Sequence, residues 1–333
     1  AKVVWEYEDH GDIGAGISTD GRSMFTANTV GEVYALDLKS GQKKWSFKTG
    51  GKVYSTPAYH KGVVIVGSSD HFIYGLNAKT GELIWKAEAN KAVLGSPAVA
   101  KGKAYIGASD GIFRAIDVKS GKTIWTFDQV KGYVSTLPTL ADGKVIFGSW
   151  QNGFYALDQK SGKLIWEWSN GHANRMFSAA ACYPVVVNNS VFIVAPDRFM
   201  TAIDLKTGKT IWREKKDDYR VRESMGLSMD KKLVLAKTMD GELIGVPNNA
   251  DNMDISWKAK LKLPYELAPT AIYSNSKYIF VPSDKGLLTA VDPKSGETAW
   301  QYKISNGMIN PPLVLKDRVV VSTMDGKIVM LTY

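Results

Sequence analysis

Apolar residues in this chain fall in short runs, each closed by turn residues. The stretch 53–88 shows the pattern: residues 53–59 read as a strand ending near Pro57, Val63–Gly67 is a β-branched run, and Phe72–Asn77 and residues 82–88 follow. His60-Lys61-Gly62, Ser69-Asp70-His71 and Lys79-Thr80-Gly81 separate them, so four antiparallel strands joined by hairpins are expected. Elsewhere the second turn reads Asp110-Gly111, Asn152-Gly153, Asp240-Gly241 and Asp325-Gly326, which suits a tight type I′ hairpin.

This unit repeats. Ala-x-Asp-x-x-Ser/Thr-Gly-x-x-x-Trp occupies residues 35–45 and returns at 115–125, 156–166, 202–212 and 290–300, with Gly75 and Asn77 as variants in 75–85. The tryptophans of the repeat are Trp5, Trp45, Trp85, Trp125, Trp166, Trp212, Trp257 and Trp300, spaced 40 to 46 residues apart. A period near 40 built from short strands predicts propeller blades, each a four-stranded antiparallel sheet. After Trp300 only three more strands follow, at 308–315, 318–323 and 327–332, and the missing outer strand is found at 3–8 with Trp5. The expected fold is therefore an all-β, eight-bladed propeller forming one domain over 1–333. Its blades lie at about 9–48, 49–88, 89–128, 129–169, 170–215, 216–260 and 261–304, and the eighth joins 305–333 to 1–8.

Each motif residue has a mechanical reading. Gly turns the chain at positive φ, the Asp accepts backbone N–H groups of that turn, and the Trp packs between neighbouring blades. Burying one indole contributes a gross ~4–6 kcal/mol.

The motif resembles the tryptophan-docking motif of the eight-bladed propellers typified by pyrroloquinoline-quinone dehydrogenases. The likeness spans nearly the whole chain and departs in the sixth unit, where Gly245-Val246-Pro247 runs into a polar loop before Trp257. That family implies two outcomes. Its dehydrogenases carry adjacent cysteines against the quinone, a calcium ligand set and an Asp base. Its cofactor-free members include the propeller lipoprotein of the bacterial outer-membrane protein assembly machinery and propeller modules attached to kinases or phosphoesterases. Cys182 is the only cysteine, and no calcium or base cluster is apparent, so the cofactor-free branch is the expectation: no catalytic, cofactor or metal residues.

Composition refines this picture. Lys plus Arg number 42 against 33 Asp plus Glu, a net charge of +9. No apolar run approaches the ~18 residues of a membrane helix. The chain opens directly in the strand-like run Val3-Val4-Trp5, so a leader or upstream domain is expected to have preceded Ala1 and to have been removed or left out. His10, His60, His71 and His172 lack metal-binding spacing, and Cys182 in its small-residue run reads as a buried, inert thiol. Asp251 and Asp254 read as a solvated loop.

Two surfaces remain for function. Lys39, Lys79, Lys119, Lys160, Lys206 and Lys294 recur in the turns between third and fourth strands, reinforced by Lys43, Lys44, Lys122, Lys163 and Lys209. Such a ring attracts anionic headgroups or acidic proteins, or else merely solubilises the rim. The ring lacks interleaved aromatics and Lys dominates it, so nucleic acid is not an expected partner. On the opposite face the units diverge, and Trp150, Trp168, Arg175, Arg220, Arg222, Glu223, Tyr265 and Glu266 form the candidate patch. Pairing of its Arg and Glu side chains to plug the central channel is the structural alternative. The expected function is a non-catalytic, monomeric scaffold for an unidentified protein partner, outside the cytoplasm at the bacterial envelope or as an accessory module. Binding of a glycan or other small polar ligand in the funnel comes second, and a quinoprotein dehydrogenase third.

Overall fold

The computed structural model describes residues 1–151, 153–171, 182–261, 263, 265–266 and 268–333. Eight four-stranded antiparallel sheets make up the molecule, and no described residue is helical. In seven sheets the strands follow chain order from the centre outward, here lettered A to D; the second blade is Ala58–His60, Val63–Gly67, Phe72–Asn77 and Leu83–Glu88. The eighth takes Leu313–Val314, Arg318–Ser322 and Lys327–Thr332 from the end of the chain and Lys2–Glu8 from its beginning. Lys2 faces Thr332 and Glu8 faces Lys327 in that closing pair. Asn310 Nδ2 and Ser322 Oγ then donate to the carbonyls of Ile13 and Ala15, tying the eighth blade to the first.

Register explains the small residue that starts each motif. A bulge in the C–D pair sets Ala35 opposite Trp45, and the same offset sets Gly75 against Trp85 and Ala115 against Trp125. The indole folds back over its partner, and a β-carbon on Gly75 would collide with the Trp85 ring. Trp85 Nε1 then crosses the seam to the next blade and donates to the carbonyl of Val118 at 2.8 Å. Trp5, Trp45, Trp125, Trp166 and Trp212 do the same toward Leu38, Ala78, Gln159, Leu205 and Ala250. Within the turns, Asp37 Oδ1 accepts from the N–H groups of Lys39 and Ser40 and from the Ser40 hydroxyl.

Two details differ from the sequence expectation. Outside blade 6 the innermost strands are shorter than 53–59 and 308–315 suggest, two or three residues each, because the described chain before them is irregular backbone. The type I′ turns also lie elsewhere. At Asp110-Gly111, Asp240-Gly241 and Asp325-Gly326 only the glycine has positive φ, since it follows a turn closed by its own N–H. Positive φ at both central residues occurs instead between strands A and B, at Lys61-Gly62, Lys101-Gly102, Asp142-Gly143 and Asn188-Asn189.

Candidate functional site

Strand B normally ends in a small residue where the next blade leans in. Gly67 pairs with Ile73 and Gly107 with Phe113, and a β-carbon on either would lie 2.5 Å from Val93 or Val134 of the following blade. In blade 6 the same register position, opposite Leu243, holds Lys237. Its side chain is buried and points across the seam to blade 7. There Nζ donates to Glu266 Oε2 at 2.7 Å, Thr270 Oγ1 at 2.9 Å and the Pro282 carbonyl at 3.0 Å. Burial lowers the ammonium pKa, while the Glu266 charge pulls it back up. Glu266 is 4% exposed, and its second oxygen has no partner; Asp284 Oδ1 is likewise buried without a hydrogen bond, 3.6 Å from Lys285 Nζ.

Blade 6 also has the longest inner strand, Val221–Leu227, broken by a bulge between Val221 and Met225. Arg222 Nε donates to Glu223 Oε2 at 2.7 Å, and Glu223 is buried. Burial, with the Glu223 charge adding to it, pushes the Cys182 thiol well above its ordinary value, so the sulfur stays protonated and poorly nucleophilic. Above this layer, Arg220 pairs with Asp240 and its guanidinium lies 5.6 Å from the Tyr265 ring centroid. Tyr265 is 52% exposed, the one large aromatic side chain of the proposed patch that faces solvent.

The structure thus assembles Arg220 with Tyr265, Arg222 with Glu223, and Glu266 with Lys237, but it does not assemble the whole patch. Trp150 belongs to a separate cluster in blade 4, stacked on Tyr133 at 5.5 Å and donating to Ser135 Oγ. Trp168 is buried in the seam with blade 5, its Nε1 on Thr210 Oγ1, so its place is structural. Glu223 and Glu266 are buried as well, but Glu223 pairs with its neighbour Arg222 and Glu266 with Lys237, so among the described residues neither glutamate pairs with an arginine of an adjacent blade. Arg175 lies outside the described residues, as does His172. Sequence reasoning missed Lys237, Asp240, Thr270 and Asp284. Aligning the blades by their second strands would have exposed Lys237 as a charge at a position that is glycine in blades 2 to 4 and uncharged in the rest.

The recurring lysines of the C–D turns are all exposed on the other face. Among the described residues, one grouping brings metal-ligand atoms within 4.8 Å of one another: Asp9, His10 and Glu32. Its donors are already engaged. Asp9 accepts from Asn28, Gly11 and the Tyr34 hydroxyl, His10 reaches both carboxylates, and Lys43 pairs with Glu32 at 2.7 Å. The grouping clasps the closing strand to blade 1. The quinone site fits no better: adjacent cysteines are its mark in the dehydrogenases, whereas Cys182 is single and buried.

Comparison with known proteins agrees with this architecture. A family profile described as outer membrane protein assembly factor BamB matches residues 2–125, 72–175, 120–262 and 249–332. BamB of Bordetella pertussis is 25% identical over 147 residues, 43% of this chain and 36% of that protein. A quinoprotein ethanol dehydrogenase of Pseudomonas aeruginosa is 42% identical over 57 residues, 17% of this chain and 9% of the enzyme. The chain therefore matches well under two thirds of the length of either relative. The crystal structure of BamB from Moraxella catarrhalis superposes with a TM-score of 0.80 at 18% identity, covering 100% of this chain and 97% of that one, a likeness of fold.

Proposed function

The chain belongs to the family described as outer membrane protein assembly factor BamB, and from that premise we propose that it is a non-catalytic scaffold that binds a protein partner outside the cytoplasm, at the bacterial envelope. The contact surface is the B–C and D–A face of blades 6 and 7, centred on Tyr265 and Arg220. One observation carries this reading: the buried Lys237–Glu266 pair beneath that rim. A buried ion pair is generally no more stabilising than apolar packing of the same volume. Its presence where the other blades carry uncharged residues, glycine in blades 2 to 4, supports a role in shaping the surface above it. An exposed tyrosine with an arginine over its ring is the side-chain chemistry enriched where proteins dock.

A photo-crosslinking residue placed at Tyr265 tests the proposal, with a second at Leu83 on the outer edge of blade 2 as reference. In envelope extract, position 265 is expected to capture one discrete protein that position 83 does not, and Arg220→Ala is expected to reduce the yield without changing the melting temperature. Equal patterns at both positions would count against the surface. Saturable binding of an oligosaccharide that protects Tyr265 would replace the protein partner with a glycan. Retention of pyrroloquinoline quinone with dye-linked alcohol oxidation would overturn the non-catalytic reading.

A further inference from the structure

The repeat breaks a second time, on the opposite face, at the seam between the closing blade and blade 1. Position 44 precedes the docking Trp45, and the corresponding residues of blades 2 to 5 are Ile84, Ile124, Ile165 and Ile211; here it is lysine. Position 22 ends the A–B turn, where blades 2 to 4 have Gly62, Gly102 and Gly143 and blades 6 and 7 have Lys232 and Lys277; here it is arginine. Lys44 and Arg22 line one open groove of about 450 Å³ together with Lys39 and Arg318. Copying a common blade does not produce this set, because Lys44 is a cation where the other blades have uncharged residues, and in blade 1 alone it is joined by a cation at the A–B turn.

The groove is held by backbone. The N–H of Leu38 donates to the Arg22 carbonyl at 2.9 Å, fixing one turn on the other, and the Leu38 carbonyl takes the Trp5 indole. Gly21, at φ +88°, leaves open space beside Arg22. Asp37 is the one carboxylate in the lining, and its Oδ1 is committed to the N–H groups of Lys39 and Ser40. Lys44 Nζ donates to the neutral Ser23 hydroxyl at 2.9 Å, and Arg318 Nε is 3.9 Å from Asp317. Arg22 and Lys39 have no carboxylate partner among the described residues. Four cations against two carboxylates, Asp37 bound in its turn and Asp317 beside Arg318, in a groove far larger than a halide ion needs, suit a doubly charged oxyanion carried on a larger body. Arginine offers that group two parallel donors, and lysine adds point charge.

We propose that the seam between blades 8 and 1 binds a phosphate ester, with Arg22 and Arg318 gripping the phosphoryl oxygens and Lys39 and Lys44 neutralising its charge. This site is independent of the protein-binding face, which lies at the other ends of the strands.

Calorimetric titration with inorganic phosphate and with glycerol 3-phosphate at low salt tests the soluble source. Co-sedimentation with vesicles of phosphatidylglycerol in phosphatidylcholine tests the membrane source. Lys44→Ile restores the residue of the neighbouring blades and Arg22→Ser keeps the turn, so both variants are expected to fold with unchanged circular dichroism. The double variant is expected to bind at least about tenfold more weakly, or 1.4 kcal/mol. Lys79→Gln with Lys119→Gln, on blades 2 and 3, is expected to leave binding unchanged. Saturable binding of either soluble probe identifies a soluble phosphate ester, and binding to anionic vesicles alone identifies a lipid headgroup. The proposal is overturned if none of the probes binds saturably, if the double variant binds as the parent does, or if the blade 2 and 3 variants weaken binding equally.

Discussion

Trp85 of blade 2 lies against Gly121 of blade 3, so close that a β-carbon on the glycine would stand 2.6 Å from the ring. Gly121 also has φ +72°, a conformation that an L-residue adopts at a cost. Crowding and backbone strain add at one position, so Gly121→Ala is expected to lower unfolding free energy by ~2–4 kcal/mol. Urea denaturation followed by tryptophan fluorescence measures it. A loss no larger than at Gly102, whose added β-carbon meets nothing within 4 Å, would show that the indole does not wedge the seam.

The indole N–H groups are unequal. Trp85 has its carbonyl at 2.8 Å, whereas the buried Nε1 atoms of Trp257 and Trp300 have no acceptor. At Trp300 the reason is topological: the next blade has no C–D turn there, and Tyr333 packs against the ring instead, at 5.9 Å. Trp85→Phe removes a made bond, and Trp257→Phe removes a donor that burial penalises. The first is expected to cost ~1 kcal/mol more than the second. Denaturation midpoints of the two variants give the difference directly.

The ring was legible in sequence because its logic is periodic. Ala35, Gly41 and Trp45 each do the same job in successive blades, so spacing alone revealed the fold and the strand that closes it. The candidate site was legible only in part. Arg220 and Tyr265 stood out as departures in exposed loops, and they do meet. Trp168 stood out equally, yet it is turned into a seam, because the residue spacing that marks a departure does not say which way a side chain points. Lys237 passed unnoticed within Leu233–Thr238, whose other residues read as an ordinary buried strand. What gives it meaning is Glu266, 29 positions on, and only the packing of two blades sets them 2.7 Å apart.

That pair makes an asymmetric prediction. Lys237→Met alone would strand Glu266, already short of a partner at Oε1, and is expected to cost ~3–5 kcal/mol. Lys237→Met with Glu266→Leu removes both charges and is expected to recover most of that loss. If the pair shapes the docking surface, the recovered double variant still fails to crosslink through position 265. A stable double variant with full crosslinking would leave the pair without a functional role.

Acid provides another test. Hydrogen bonds from the Ser or Thr three residues on hold the carboxyls of Asp37, Asp117, Asp158, Asp204 and Asp292 below their ordinary range. The unfolded chain therefore takes up these protons first, near pH 3.9. Their stabilisation is present at neutral pH and is lost as pH falls through the lowered folded values. Asn77 shows that an amide can accept the same turn bonds, from Lys79 and Thr80, without titrating. Replacing the five aspartates by asparagine is expected to flatten the fall in melting temperature between pH 5 and about pH 3. An unchanged slope would place acid sensitivity elsewhere.

Closure of the ring rests on Lys2–Glu8. Its pairing with Lys327–Thr332 covers the edge of the last blade, Lys327 binds Glu6 at 2.9 Å, and Trp5 reaches blade 1 through the Leu38 carbonyl. Deleting residues 1–8 would uncover an apolar edge strand ready to pair with another molecule. It would also remove one of the interblade indoles. The truncated chain is expected to aggregate and to melt at a markedly lower temperature. Because Lys2 faces Thr332, the two ends of the chain meet at one end of the sheet, and a turn copied from 37–42 would span them. A permuted chain so joined, and opened instead in the 49–52 connection, keeps every strand and is expected to melt close to the parent. Aggregation of the truncated chain together with stability of the permuted one would locate closure in the strand itself. If both behave like the parent, the last blade does not need its fourth strand, and the ring is held by the other seams alone.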